Sequence, residues 1–169
     1  VIDALLVEAK KDLLPNFIKS KSDQDKLILT TIHRRENWGE NLKDICFSIL
    51  EISKMSKEAL FIIPMHKNKI VRDVILKLLS NNERIILTEP LKYDELVATM
   101  KQCHFILTDS GGLQEEAPSL GKPVLILRNK TERQEAIDCG SAKLVGTKKE
   151  VICSESIRLL HDDFYYKKM

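Results

Sequence analysis

No apolar run in this chain approaches the roughly 18–20 residues that a helix needs to cross a bilayer. The longest, Pro123-Val124-Leu125-Ile126-Leu127, is the size of one strand, so a helical membrane protein is excluded. Charge of one sign is also lacking: 27 Lys and Arg stand against 25 Asp and Glu, a net +2 over 169 residues. Nucleic acid or an anionic membrane surface requires a concentrated basic field, and a surplus this small does not by itself imply one. With 6 Gly and 5 Pro the chain is neither collagen-like nor low-complexity, and 43% apolar residues are enough to offset the ordering entropy of one domain. The four cysteines, Cys46, Cys103, Cys139 and Cys153, form no C-x-x-C pair and have no His at ligand spacing. They argue against zinc and against a disulfide framework, and are read as reduced thiols in or near the core of a cytoplasmic protein. We expect no metal and no cofactor. No basic segment followed by an apolar core opens the chain, so no secretory leader is read there. The chain starts in mid-helix without Met and reads as a portion of a longer polypeptide.

What is present is an alternation of strands and helices. Leu27 to Ile32 is a β-branched run. It is followed by a polar turn through Gly39 and an amphipathic stretch, Leu42 to Met55, whose Ile45, Ile49 and Ile52 recur at helical spacing. The unit repeats as Leu60–Ile63 before Ile70–Leu79, Arg84–Thr88 before Tyr93–Met100, and Phe105–Thr108 before Gly112–Leu120. It closes with Val124–Leu127 before Glu132–Cys139 and Ala142–Val145 before Glu150–Leu160. Six nearly continuous apolar strands separated by helices predict an α/β fold, a doubly wound six-stranded parallel sheet of the Rossmann-like kind. Right-handed crossovers favour the order 3-2-1-4-5-6, with ligands at the carboxyl ends of the strands. Residues 1–14 read as a helix preceding the sheet and Lys19 to Asp25 as a charged linker. The expected division is therefore 1–24 and 25–169.

The residues hardest to explain as packing fall just after strands. Asp109-Ser110-Gly111-Gly112 places a Ser and two glycines at a helix start, where free N–H groups carry partial positive charge. Missing Cβ atoms let an anion approach the backbone, although an ordinary Ser/Gly N-cap has the same local sequence. The segment is neither a P-loop nor G-x-G-x-x-G. Glu115 and Glu116 diverge by about 100° on a helix, so one faces solvent; the other, a turn from an anion site, could accept from ribose hydroxyls. Pro118 must end or bend this helix. His33-Arg34-Arg35 suits phosphate or carboxylate, or pairs with Glu36 as a solvated basic turn. His66 reads most simply as a buried, satisfied imidazole. Thr131 reads as an N-cap that puts Arg133 in a first helical turn, an unfavourable place for a cation unless an anion joins it.

Taken together, His33-Arg34-Arg35-Glu36-Asn37, Pro64-Met65-His66, Glu89-Pro90-Leu91, the run Thr108 to Val124 and Thr131-Glu132-Arg133 resemble the non-hydrolysing bacterial UDP-N-acetylglucosamine 2-epimerases. The resemblance covers only the C-terminal domain of that two-Rossmann-domain, glycosyltransferase-like architecture. It implies that Ser110, Gly111 and Gly112 bind the diphosphate, Glu116 the ribose and Arg133 the phosphates, and that His33 is the catalytic group assisting departure of UDP. Arg34 and His66 match positions that touch a second UDP-N-acetylglucosamine acting as activator. The implied partners are UDP or UDP-N-acetylglucosamine and the N-terminal domain of the same chain, with a homodimer of the whole protein and with no nucleic acid or membrane. A hydrolysing 2-epimerase releasing UDP and N-acetylmannosamine, and a non-catalytic nucleotide-sugar-binding domain, share these residues. The chain departs from the family pattern at Gln134, where a Pro is usual, at Leu96, where an aromatic is common, and at Lys67-Asn68-Lys69, where the turn is usually more neutral.

Overall fold

The structure, a computed structural model, describes residues 2–19 and 21–169. Val1 and Ser20, which belong to the expected first helix and linker, lie outside the described residues. The elements run α1 (Ile2–Ala9), α2 (Asn16–Lys19), β1 (Lys26–Thr31), a 3-10 turn (Arg35–Asn37), α3 (Glu40–Met55), β2 (Ala59–Pro64) and α4 (Lys69–Leu79). They continue with β3 (Ile85–Thr88), α5 (Tyr93–Gln102), β4 (Phe105–Thr108), α6 (Gly111–Ser119), β5 (Val124–Ile126), α7 (Gln134–Asp138), β6 (Ala142–Leu144), α8 (Lys149–His161) and α9 (Asp163–Lys168).

All six strands are parallel and lie in the order β3-β2-β1-β4-β5-β6, as the crossover rule requires. Side chains alternate across the sheet. Ile28, Phe61, Ile63, Phe105, Leu107 and Leu125 meet α3, α4 and α8 on one face. Leu27, Leu29, Leu60, Ile62, Ile106 and Val124 meet α1 and α5 on the other. Both faces are thus covered, and this is why the strands read as unbroken apolar runs.

One expectation is corrected at the ends of the chain, and two features there go beyond what the sequence suggests. The first helix stops at Ala9 rather than residue 14: Pro15 disfavours helix in the residue before it, and the chain resumes as the short α2. The linker is tied down at its far end, where Asp25 accepts from the Arg84 guanidinium at 2.6 Å. The terminal segment folds as α9, capped by Asp162, whose carboxylate accepts from the backbone of Tyr165 at 3.0 Å.

At the carboxyl edge, β1 and β4 are neighbours although not consecutive, so the crossovers diverge there to opposite sides. That crevice is where ligands enter open α/β sheets. The Thr31 and Thr108 hydroxyls bond across it, and Ser110 opens α6 with its backbone N–H donating to Thr108 Oγ1 at 2.9 Å. Pro118 lies inside α6, which ends one residue later, and Gly121 (φ 72°) reverses the chain into β5.

Candidate functional site

Two loops meet in the crevice. After β1, His33 and Arg34 leave the strand; after β4, Asp109 turns the chain into α6. Asp109 is fully buried and ties the loops together. Its carboxylate accepts from the backbone N–H of His33 (3.1 Å to each oxygen), from that of Arg34 (2.9 Å) and from Asn37 Nδ2 (3.0 Å). His33 Nδ1 also lies 3.2 Å from Oδ1. The Arg34 Nε donates to the Asp109 carbonyl at 3.3 Å, and Arg34 makes no ion pair with a carboxylate among the described residues. Asp109 and Asn37 sit within sequence motifs but carry no local signal of this role, because their partners lie more than seventy residues away in the chain.

The helix start has the expected form: Ser110 is the N-cap of α6 in extended conformation, with no side-chain capping bond. The two glycines serve different neighbours. A Cβ on Gly111 would sit 2.8 Å from Arg133 Nη1, so this glycine makes room for the Arg133 guanidinium, rather than for an anion alone as the sequence suggested. A Cβ on Gly112 would be 3.6 Å from Glu116 Oε1, an ordinary contact. Glu115 is the glutamate that turns outward, and it pairs with Arg133 Nε at 2.8 Å. Glu116 turns inward to 9% exposure and accepts from the Tyr93 hydroxyl at 3.2 Å. Burial pushes its carboxyl above the usual carboxylate range; the Tyr93 hydrogen bond opposes this and the neighbouring Glu115 charge adds to it.

Arg133 does not lie in a first helical turn, since α7 starts at Gln134. Thr131 does not cap that helix either. Its hydroxyl accepts from the Arg133 backbone at 3.1 Å and donates to Gln114 Oε1 at 2.5 Å. The cation that seemed to need an external anion already has Glu115. Behind it, the buried Arg128 donates to Glu36 at 2.7 Å and grips Glu132 with both terminal nitrogens at 3.2 and 3.4 Å. Those bonds, with help from the Glu132 backbone N–H, lower the Glu132 carboxyl to about 2. The network joins the α7 loop to the His33 loop, and no local sequence signal marked Arg128 as its centre.

His66 is exposed, contrary to the buried imidazole expected. Its ring stacks on that of His33 with centroids 6.0 Å apart, and both line a cavity of about 370 Å³ with Pro64, Pro90, Leu91 and Leu96. A larger cleft of about 770 Å³ lies between α6 and α7, with Arg133 and Glu115 on its wall. Of the cysteines, Cys46, Cys103 and Cys153 are buried but Cys139 is exposed, a correction to the packing expected of all four. Burial pushes the Cys46 and Cys103 thiols up to about 12. No group of three metal-binding side chains occurs among the described residues, and no helix there is long and apolar enough to cross a membrane.

A doubly wound parallel sheet with imidazoles and guanidinium groups gathered at its switch point is a Rossmann-type domain, a class of fold in which ligands enter at the carboxyl edge of the strands. Comparison with known proteins gives the particular family. The family described as UDP-N-acetylglucosamine 2-epimerase matches residues 1–169, and the chain belongs to it. A curated relative, the UDP-N-acetylglucosamine 2-epimerase of Neisseria meningitidis, is 46% identical over the whole of this chain and 47% of its own length. The crystal structure of the Neisseria meningitidis enzyme bound to UDP-GlcNAc superposes with a TM-score of 0.92, covering 99% of this chain and 47% of that one. That of a 2-epimerase from Listeria monocytogenes superposes with a TM-score of 0.94 at 39% identity, covering 99% and 45%. The chain thus spans about half the length of the relatives it matches.

Proposed function

We propose that this chain is the UDP-binding half of a cytoplasmic UDP-N-acetylglucosamine 2-epimerase that interconverts UDP-N-acetylglucosamine and UDP-N-acetylmannosamine. Residues 25–169 would form the nucleotide half, and residues 1–24 the helix and linker leading from a catalytic half. The observation that carries the reading is the convergence at the β1/β4 crevice. The α6 N-terminus with Arg133 against Gly111 suits a diphosphate, Glu116 one turn further suits ribose hydroxyls, and His33 and Arg34 face them from the other loop.

The chemistry follows from charge. In the reaction implied by the family resemblance, the C1–O bond of the sugar breaks with its electron pair passing to the diphosphate, while the C2 proton leaves to a carboxylate of the other half. A glycal results, and UDP adds back after protonation of C2 on the opposite face. Negative charge grows on the departing diphosphate, and preoriented N–H donors and cations stabilise that growth. A relative crystallised with UDP-GlcNAc supports the ligand class. Because the chain spans about half of its relatives, these 169 residues mixed with UDP-N-acetylglucosamine should yield no epimer.

Calorimetric titration with UDP tests the reading. Binding should weaken about 10- to 100-fold in both Glu116→Ala and Arg133→Ala, the range expected for losing a charged hydrogen-bonding group. UDP binding indifferent to both substitutions would overturn the site.

A further inference from the structure

Glu116 keeps a carboxylate where water is scarce. Its side chain leans towards the start of α6, as helical side chains do, and Oε1 lies over Gly112, 3.6 Å from where a Cβ would stand. Oε2 accepts from the Tyr93 hydroxyl at 3.2 Å, and among the described residues no other side chain or backbone group donates to this carboxylate. Tyr93 arrives from a third strand end. It is the first residue of α5, just beyond the Glu89-Pro90-Leu91-Lys92 turn that follows β3. It is exposed and belongs to neither core cluster, so packing does not account for it.

The phenol does not block the carboxylate. An ionised carboxylate offers about four acceptor positions, and Tyr93 fills one of them. What it removes is freedom: three side-chain torsions would otherwise let the carboxylate turn to solvent or towards the Arg133 guanidinium that lies against Gly111. Burial raises the Glu116 carboxyl and the Tyr93 bond works against that rise, so the phenol also favours the ionised form, in which both oxygens accept.

We propose that Tyr93 is a positioning residue that holds Glu116 through Oε2 with Oε1 left free, and that the pair selects nucleoside diphosphates carrying a vicinal diol over those lacking it. This rests on the UDP-binding reading above, to which it adds the residue that acts on Glu116 and the class of nucleotide the pair accepts. Ribose hydroxyls donate to the held carboxylate. A dideoxyribose would cover the same carboxylate and give it no donor, and a polar group left unpaired in this way is penalised.

Calorimetry with UDP and with 2′,3′-dideoxy-UDP reads this selectivity as a ratio of affinities. The wild type should prefer UDP by about 10- to 100-fold, and Glu116→Ala should bind the two alike. Tyr93→Phe keeps the ring at an exposed position and loses only the hydroxyl. It should narrow the ratio by about 2- to 10-fold, the cost of ordering a freed side chain when the ligand binds. Added to Glu116→Ala, the same substitution should weaken UDP binding no further. An undiminished ratio in Tyr93→Phe would overturn the proposal, as would a loss shared equally by both nucleotides, which marks a merely structural effect. Equal losses of UDP affinity with and without Glu116 would overturn it too, since the phenol would then act by another route. A wild type that binds UDP and dideoxy-UDP alike, unaffected by Glu116→Ala, or that binds neither, would instead overturn the UDP-binding reading beneath it.

Discussion

At the scale of single residues, burial and charge make Glu116 and Gly111 the most informative positions. Burial raises the Glu116 carboxyl, so the folded state holds that proton more tightly than the unfolded chain does. The sign follows: stability from this group is greatest below the unfolded value, about 4.3, and falls as pH rises through the folded value. Glu116→Gln keeps the size and an acceptor for Tyr93 but removes the charge. The variant should therefore gain on the wild type as pH rises from about 4 to 7 in urea unfolding, while binding UDP less well. A stability difference independent of pH would show that the carboxylate is not penalised by burial. Gly111→Ala makes a different prediction. The added methyl collides with the movable end of Arg133 rather than with backbone, so unfolding should change by less than about 1 kcal/mol while UDP affinity drops severalfold as the guanidinium is displaced. Of this site the sequence announced the strand-end motifs, because unusual residues after apolar runs are a local signal. It could not announce that Gly111 serves Arg133, or that Asp109 serves His33, because those pairings arise only when distant loops meet.

At the scale of elements, each expected strand is present and the helix interiors agree, since periodicity reports which face is buried. The ends differ where local chemistry competes. The helix expected from Glu132 begins at Gln134, because Glu132 and Thr131 spend their side chains on Arg128, Arg133 and Gln114. The helix α9 was hidden by its six-residue length, although Asp162 and Asp163 ahead of an aromatic run are an N-terminal signal that could have found it. What fixes the α7 loop is Arg128, and replacing it tests the loop as a unit. Arg128→Met retains apolar bulk but frees Glu36 and Glu132, both on the surface side. We expect a loss of about 1–3 kcal/mol in urea unfolding and looser seating of Arg133, read as weaker UDP binding. The depressed Glu132 carboxyl gives the pH signature. The stabilisation it supplies is intact above the unfolded carboxylate value, about 4.3, and is lost as pH falls towards about 2. Arg128→Met should therefore lose less stability on acidification than the wild type.

At the scale of the molecule, the sheet separates what holds the fold from what lines the proposed UDP site. Both core clusters lie along the strands, whereas His33, Asp109, Ser110 and Arg133 follow the strands at one edge. Phe105 opens β4 at full burial, three residues before Thr108, and a strand rises about 3.3 Å per residue, which places it about 10 Å from the crevice. Phe105→Ala removes a ring packed between sheet and helices, and a cavity of that kind costs about 3–5 kcal/mol. Sites separated by this distance and sharing no partner are nearly independent, so the folded variant should bind UDP within about twofold of the wild type. Ligand linkage gives the same test a second reading. UDP at about 100 times its dissociation constant adds about 2.7 kcal/mol to the stability of any form that binds it, so the upward shift in unfolding should be as large in Phe105→Ala as in the wild type. A parallel loss of stability and affinity would mean that the crevice is shaped by the core as one body. Separate losses would mean that the strand ends hold their loops through local bonds such as those of Asp109, with the sheet serving only to bring β1 and β4 side by side.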